Sequence, residues 1–325
     1  MLEEEDSMPS TYVFYHEDAD GHCAAAVFKY SCEQSGQNEE LDLRAINHGY
    51  DADKMFGDLE TGARLVFLDF CPPEEDLKAL HDKGFPIVVV DHHKSSEWAK
   101  DYDTTGTNTK PYIRVYHSIY QSGCEITWGT FMGEAKMPPA VWMTGRYDVW
   151  DHQADERIVP FITGMKLIIT DPATEDGYEF WKACFETIDT LPADAPDEER
   201  AKRMKWDVVL QLINMGNVAH MYRLGLAEER ERAVHDMVIE GKKFLMVNSE
   251  LSDSYDFPMQ KLDDSYFGFG WYYWDGKEWH FSMRSEGDND LTTVAGIRGH
   301  KNAAGFAMYG FQDPSIYLKA AHESN

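Results

Sequence analysis

The stretch Pro86-Ile87-Val88-Val89-Val90-Asp91-His92-His93 decides how this chain reads. A short run that is apolar at every position cannot be amphipathic, so a strand built from it has both faces buried, as strands of a parallel sheet do. Two other runs share the design. Tyr12-Val13-Phe14-Tyr15 leads into His16-Glu17-Asp18-Ala19-Asp20-Gly21, and Leu65-Val66-Phe67-Leu68 leads into Asp69. One acid closing one strand would be ordinary turn chemistry, since Asp favours the passage from strand to loop. Three such runs in the first third of the chain, one followed by two Asp and another by two His, ask for a common cause. Open α/β sheets bind ligands outside the carboxyl ends of their strands, so these runs would deliver Asp18, Asp20, Asp69, Asp91, His92 and His93 to one pocket. Donors of that kind predict a metal site.

The segments between the runs complete the pattern. The Ala-rich segment His22–Cys32 has apolar residues at helical spacing, and a second helix is expected over Pro73–Lys83 with Gly84 as its stop. Asp101–Lys110, rich in Thr, Gly, Asn and Asp, predicts a surface loop, and Ser122–Gly133 a further helix. Pro and charge mark a boundary over Leu191–Arg200. A long helical stretch is expected from Ala201 to Phe244, broken near Gly216 or Gly225. Beyond Leu245 the character turns to short β segments, Tyr266–Trp274 and Trp279–Arg284, flanking an Asp275-Gly276 hairpin turn. The expected class is α/β, with a parallel-sheet catalytic domain over 1–190, a helical linker over 191–244 and a smaller α/β substrate-binding domain over 245–325.

Composition narrows the functions. With 325 residues, 43% of them hydrophobic, the chain can bury a substantial core. No stretch approaches the ~20 apolar residues that span a bilayer, and the acidic opening Met1-Leu2-Glu3-Glu4-Glu5-Asp6 is unlike a secretory signal. A cytoplasmic protein with no membrane partner is expected. Its five cysteines lack the close spacing of a zinc or redox motif, so reduced thiols are the default. Thirty basic against fifty-eight acidic residues give a net charge of −28, which repels polyanions at long range. Tracking along nucleic acid needs rows of Lys and Arg, and none is present. A phosphate-ester substrate should be small and drawn in by local metal charge. The sequence leaves open whether the chain pairs as a homodimer.

At a strand-to-helix turn, Asp18 and Asp20 can converge and hold two cations a few ångströms apart. Asp69 could bridge the ions, with His16, His92 and Asp148 completing a mixed oxygen and nitrogen shell; Asp148 is favoured over its neighbour Asp151. Oxygen donors with a minority of imidazoles suit Mn²⁺, with Mg²⁺ as the alternative, better than zinc. Two such ions support hydrolysis of a phosphoester or phosphoanhydride, with His93 stabilising the charge that develops on phosphorus or on the leaving oxygen. Around Arg298, Gly299 and His300, small residues allow the close backbone approach that an anion-binding loop requires.

In the order of these motifs the chain resembles the DHH phosphoesterase superfamily, named for the triplet present here as Asp91-His92-His93. The first motif is His16-x-Asp18-x-Asp20-Gly21, the second Asp69 and the fourth Asp148, while Gly299-His300-x-x-Ala303-Ala304-Gly305 is similar to the signature of the DHH-associated domain. The resemblance implies that Asp18 and Asp20 bind one metal each, that Asp69 bridges, and that His92 and Asp148 hold the second ion. Asp69, His92 and His93 would form the catalytic core. It also implies that Ser282, Arg284 and Ser285 face substrate in a cleft between domains and that His300 contacts a phosphate or base. The glycine run of the family is reduced to Gly296 and Gly299, separated by Ile297 and Arg298. His16 stands two residues before Asp18, a spacing more like the exonuclease and nanoRNase branches than the pyrophosphatases. The expected activity is hydrolysis of short oligonucleotides to mononucleotides. The alternatives are a cyclic or linear dinucleotide substrate and, further off, single-strand DNA exonuclease, pyrophosphatase or non-catalytic nucleotide sensor.

Overall fold

The structure, a computed structural model, describes residues 11–36, 40–106, 111–187, 196–200, 207–250, 257–299 and 301–309. The apolar runs form the middle of a five-stranded sheet built from β1 (Thr11–His16), β2 (Leu41–Ile46), β3 (Arg64–Leu68), β4 (Ile87–Asp91) and β5 (Ile113–His117). Its order is β2-β1-β3-β4-β5 with every pair parallel. Alternate residues serve opposite faces. Val13, Tyr15, Val66, Leu68, Val88 and Val90 join one cluster with residues from α1 (Ala19–Gln34), α4 (Gly123–Phe131), α5 (Pro139–Asp148), α6 (Ile158–Met165) and α7 (Glu175–Phe185). Tyr12, Phe14, Leu65, Phe67, Ile87 and Val89 join the other, with residues from α2 (Ala52–Phe56) and α3 (Glu74–Asp82). Val13, Phe14, Leu65 to Leu68, Ile87, Val89 and Val90 have no exposed surface at all. Full burial stabilises by about 1.5–3 kcal/mol per large apolar side chain, so these three strands anchor the unit.

The chain divides by its contacts into a unit up to Asn217 and another from Val218. The second holds a six-stranded sheet of order β10-β11-β9-β8-β7-β6, from β6 (Val234–Ile239), β7 (Lys242–Asn248), β8 (Gly268–Trp274), β9 (Glu278–Arg284), β10 (Arg298–Gly299) and β11 (Ala303–Tyr309). Within it β7 and β8 are parallel and the other neighbours antiparallel. Met237, Phe244, Met246, Tyr272, Phe281 and Met283 pack on one side, and Leu245, Val247, Phe269 and Trp271 on the other.

Two expectations for the middle of the chain are corrected. Helix α8 (Val208–Glu229) runs unbroken through Gly216 and Gly225. A Cβ on Gly216 would stand 1.7 Å from the Pro160 carbonyl oxygen, so this glycine permits close packing against α6 rather than ending a helix. The helical stretch also stops well short of Phe244, because β6 and β7 pair through a turn at Glu240-Gly241, whose φ values are 48° and 75°. Left-handed values at both central residues match the twist of a tight hairpin. The expected boundary at 191–195 and the start of the expected helix at 201–206 lie outside the described residues. The expected loop from Asp101 begins within a 3₁₀ helix, Lys94–Tyr102, and its stretch 107–110 lies outside the described residues. All five cysteines are free. Among the described residues no helix is long and apolar enough to cross a membrane.

Candidate metal centre

In this strand order β1 has β2 on one side and β3 on the other, so the crevice at the carboxyl ends of β1 and β3 is the topological switch point. His16 closes β1, Asp18 caps α1 by accepting from Gly21 N at 2.9 Å, and Asp69 follows β3. His92 follows β4, and Asp148 ends α5. His16 Nδ1 lies 2.7 Å from Asp18 Oδ2 and 3.7 Å from Asp69 Oδ2. His92 Nε2 lies 3.2 Å from Asp69 Oδ1, 3.1 Å from Asp148 Oδ2 and 3.9 Å from Asp20 Oδ2. Asp69 thus offers one oxygen to each side. Two three-donor groups result, His16/Asp18/Asp69 and Asp20/His92/Asp148, with the donor atoms of each group within 4.8 Å of one another.

Distant parts of the chain hold these side chains. Both Asp20 oxygens accept backbone N–H groups at the start of α4, from Gly123 at 2.6 Å and Cys124 at 3.0 Å. The positive end of a helix favours a carboxylate there. Helix α4 is fixed by a capping box between Ser122 and Glu125, and the buried Glu125 also pairs with Arg146 of α5, two residues before Asp148 ends that helix. Asp69 itself sits at φ 54°, a sparsely populated region for a residue with a side chain. Its neighbour there is Gly123, where a Cβ would come within 2.5 Å of the Asp69 Cβ. Asp91 turns away from the donor groups to hold the loop. Its Oδ1 accepts from His92 N at 2.7 Å, His93 N at 3.2 Å and lies 2.7 Å from His93 Nδ1. Such a carboxylate fixes the orientation of an imidazole. His117, at the end of β5, reaches the His93 carbonyl oxygen through Nε2 at 2.9 Å.

The electrostatics ask for positive charge. Burial, reinforced by the charges of Asp20 and Asp18, raises the Asp69 carboxyl well above the usual range. Burial raises Asp148 too, against the pull of His92. Burial opposes charge on the imidazoles, yet Asp18 and Asp69 outweigh it and raise His16 to about 10, while Asp148 and Asp69 raise His92 to about 12. For Asp18, the His16 contact overcomes burial and lowers the carboxyl to about 2. Even so, both oxygens of Asp69, Nδ1 of His16 and Nε2 of His92 are buried without an aligned hydrogen bond. They converge without satisfying one another. Buried polar atoms in that state are costly, and a cation at the point of convergence would satisfy them together. Four carboxylates with two imidazoles fit Mn²⁺ or Mg²⁺ in chemistry and in number.

In the second unit Arg284 Nη1 donates to Ser282 Oγ at 3.2 Å and to the Met283 carbonyl at 2.8 Å, and its guanidinium lies over the Trp271 ring. Ser285 differs from the expectation that it faces substrate. It is buried, with its hydroxyl donating to the Asn289 carbonyl at 2.5 Å, because it ties the turn after β9. Arg298 and Gly299 form the exposed strand β10, while His300 lies outside the described residues. Asp151 stands apart from the donor groups, 3.6 Å from Arg146 Nη1. Sequence reasoning overlooked His48, whose ring centroid is 5.7 Å from that of His16, and His117. His48 follows and His117 ends a strand whose sequence alternates, Leu41-Asp42-Leu43-Arg44-Ala45-Ile46 for the first and Ile113-Arg114-Val115-Tyr116 for the second, so unbroken apolar runs do not mark them.

No protein-family model matches the chain, and no curated protein matches it. Solved structures do. An uncharacterized protein from Helicobacter pylori is 16% identical with a TM-score of 0.39, the match covering 98% of each chain. RecJ from Thermus thermophilus, solved in complex with Mn²⁺, is 16% identical with a TM-score of 0.47 over 97% of this chain. The match covers 51% of that RecJ chain, so this chain spans about half its length. An exopolyphosphatase-related protein from Bacteroides fragilis is 13% identical with a TM-score of 0.46, covering 97% of this chain and 92% of that one. The residues of the ordered sequence motifs meet at one site. His16, Asp18, Asp20, Asp69, His92 and Asp148 all contribute donors to it, and His93 adjoins it in a third group with Asp69 and His92.

Proposed function

We propose that this chain is a metal-dependent phosphoesterase of the DHH type that holds two divalent cations and hydrolyses short oligonucleotides to mononucleotides. The observation that carries the reading is Asp69, buried at the switch point with one oxygen 3.7 Å from His16 Nδ1 and the other 3.2 Å from His92 Nε2. His16, Asp18 and Asp69 would hold one cation; Asp69, Asp20, His92 and Asp148 would hold the other. Bound there, two divalent cations supply an acidified water and neutralise charge on the phosphoryl oxygens. The chain's own residues orient the rest. Asp91 fixes the His93 ring through Nδ1, so that His93 lines the adjoining pocket in one orientation and can stabilise developing charge.

Short substrates are favoured by the net charge of −28, which opposes binding of a long polyanion. In the second unit a cavity of about 470 Å³ is lined by Trp271, Tyr273, His280, Phe281, Arg284 and Phe306. Aromatic faces beside an arginine suit a base and its phosphate. The test is a matched panel of RNA dimers to pentamers, a 20-mer, a cyclic dinucleotide and pyrophosphate, with Mn²⁺ and then with EDTA. EDTA-sensitive loss of the short RNAs ahead of the 20-mer is expected. Intact dimers to pentamers in Mn²⁺ would sink the substrate assignment, and cleavage of pyrophosphate alone would replace it.

A further inference from the structure

The strands of the first sheet end on one edge, and the second of them brings a residue that none of the motifs includes. His48 stands two positions beyond β2, its ring 5.7 Å from that of His16, 5.3 Å from Phe70 and 6.5 Å from His93. It belongs to none of the three-donor groups. Its side chain is exposed, so core packing does not account for its position. Among the described residues neither of its ring nitrogens has a hydrogen-bond partner.

His48 faces a cavity of about 140 Å³ lined also by Asp69, Phe70, Asp91, His93 and Trp98. That space exceeds the ~30 Å³ share of one water molecule several-fold. Two acids line it, so an anion entering there needs donors to offset them. The His48 and His93 rings both line it and stand nearly perpendicular to each other, at 88°. We propose that His48 is a substrate-contacting residue, donating a hydrogen bond to an oxygen of the phosphoryl group while His93 approaches it from the second side. The proposal rests on the phosphoesterase reading above. An imidazole carries at least one N–H in either protonation state, and phosphoryl oxygens are strong acceptors, so the pairing is chemically matched.

The experiment compares full-length wild type with His48→Ala and His48→Gln, each checked for an unchanged melting curve. Three quantities are measured: Mn²⁺ affinity by calorimetry, kcat and KM on an RNA dinucleotide, and affinity of the Mn²⁺-loaded protein for inorganic phosphate. Mn²⁺ affinity should stay within about twofold, while loss of one charge-stabilising donor should lower kcat/KM about 10- to 100-fold. His48→Gln, which keeps an N–H, should recover part of that loss, and phosphate affinity should fall with the alanine variant. Wild-type kcat/KM and phosphate affinity in His48→Ala would overturn the proposal. So would an equal loss of Mn²⁺ affinity, which would make His48 a support of the metal site. A wild type that binds phosphate but cleaves no phosphodiester would overturn the substrate assignment alone, leaving phosphate affinity to decide His48. A wild type that does neither would overturn both.

Discussion

Replacing Asp69 by Asn should separate stability from function. The carboxyl is buried and its environment disfavours its charge, with donor atoms of Asp69 and Asp18 within 4.8 Å of each other. Two like charges at that distance repel by about 3 kcal/mol at an effective dielectric of about 20. The imidazoles of His16 and His92, at 3.7 and 3.2 Å, offset part of that repulsion. In EDTA the neutral isostere should therefore be as stable as wild type or up to about 3 kcal/mol more stable. With Mn²⁺ at 100 times its dissociation constant, each occupied site adds about 2.7 kcal/mol to the native state. Wild type should gain about twice that. The variant lacks the shared donor and should gain less than half as much, with hydrolysis lost. Scanning calorimetry in EDTA and in Mn²⁺ reads both quantities. A variant clearly less stable than wild type in EDTA, yet with the full Mn²⁺ increment, would refute the shared-ligand reasoning.

The histidines predict the pH response. In the metal-free protein His16 and His92 have native values of about 10 and about 12, above their unfolded value, so the stability they add is full below about 6.5 and lost as pH rises through the native values. Metal requires both rings neutral at the bonding nitrogen, so Mn²⁺ should bind more tightly as pH rises and expel protons near neutrality. Calorimetry in two buffers of different ionisation enthalpy measures that release, and none at pH 7 would contradict the ligand set. Gly123→Ala would drive a methyl into Asp69 and should cost about 1–3 kcal/mol together with most of the Mn²⁺ affinity, which melting and titration would show. Arg146→Ala leaves the buried Glu125 without its ion-pair partner and should cost about 3–5 kcal/mol; a loss below about 1 kcal/mol in urea melts would show that Glu125 is relieved some other way.

The parts of the fold written plainly in the sequence are those where one physical demand acts alone. The central strands β1, β3 and β4 are buried on both faces, and that demand leaves only apolar residues between the turn that starts them and the acid that ends them. The edge strand β2 is half-exposed, so Asp42 and Arg44 alternate with Leu41 and Leu43 and form an ion pair at 2.7 Å. Without that strand in view, His48 had no reason to be noticed. Near Glu228–Arg232 the charges continue a helical look past the end of α8, and the turn at Glu240-Gly241 was the signal that a hairpin had begun. The partners that hold the donors were the least legible, because they depend on contacts across the chain. Nothing local says that Asp20 should meet Gly123, or that Asp91 should serve His93 rather than a cation.

The hold of Asp20 on the start of α4 also orders events in time. Its two oxygens are bound by backbone groups 103 and 104 positions further along the chain, on a helix that must dock before that carboxylate is aimed. Closing a loop of that length is slow compared with forming α1 or the turn after β1. A partly folded chain therefore offers the His16 side of the centre before the Asp20 side. Tight capture of both cations reports that α4 has arrived, and a chain released with α4 undocked would be recognisable by its half-filled centre.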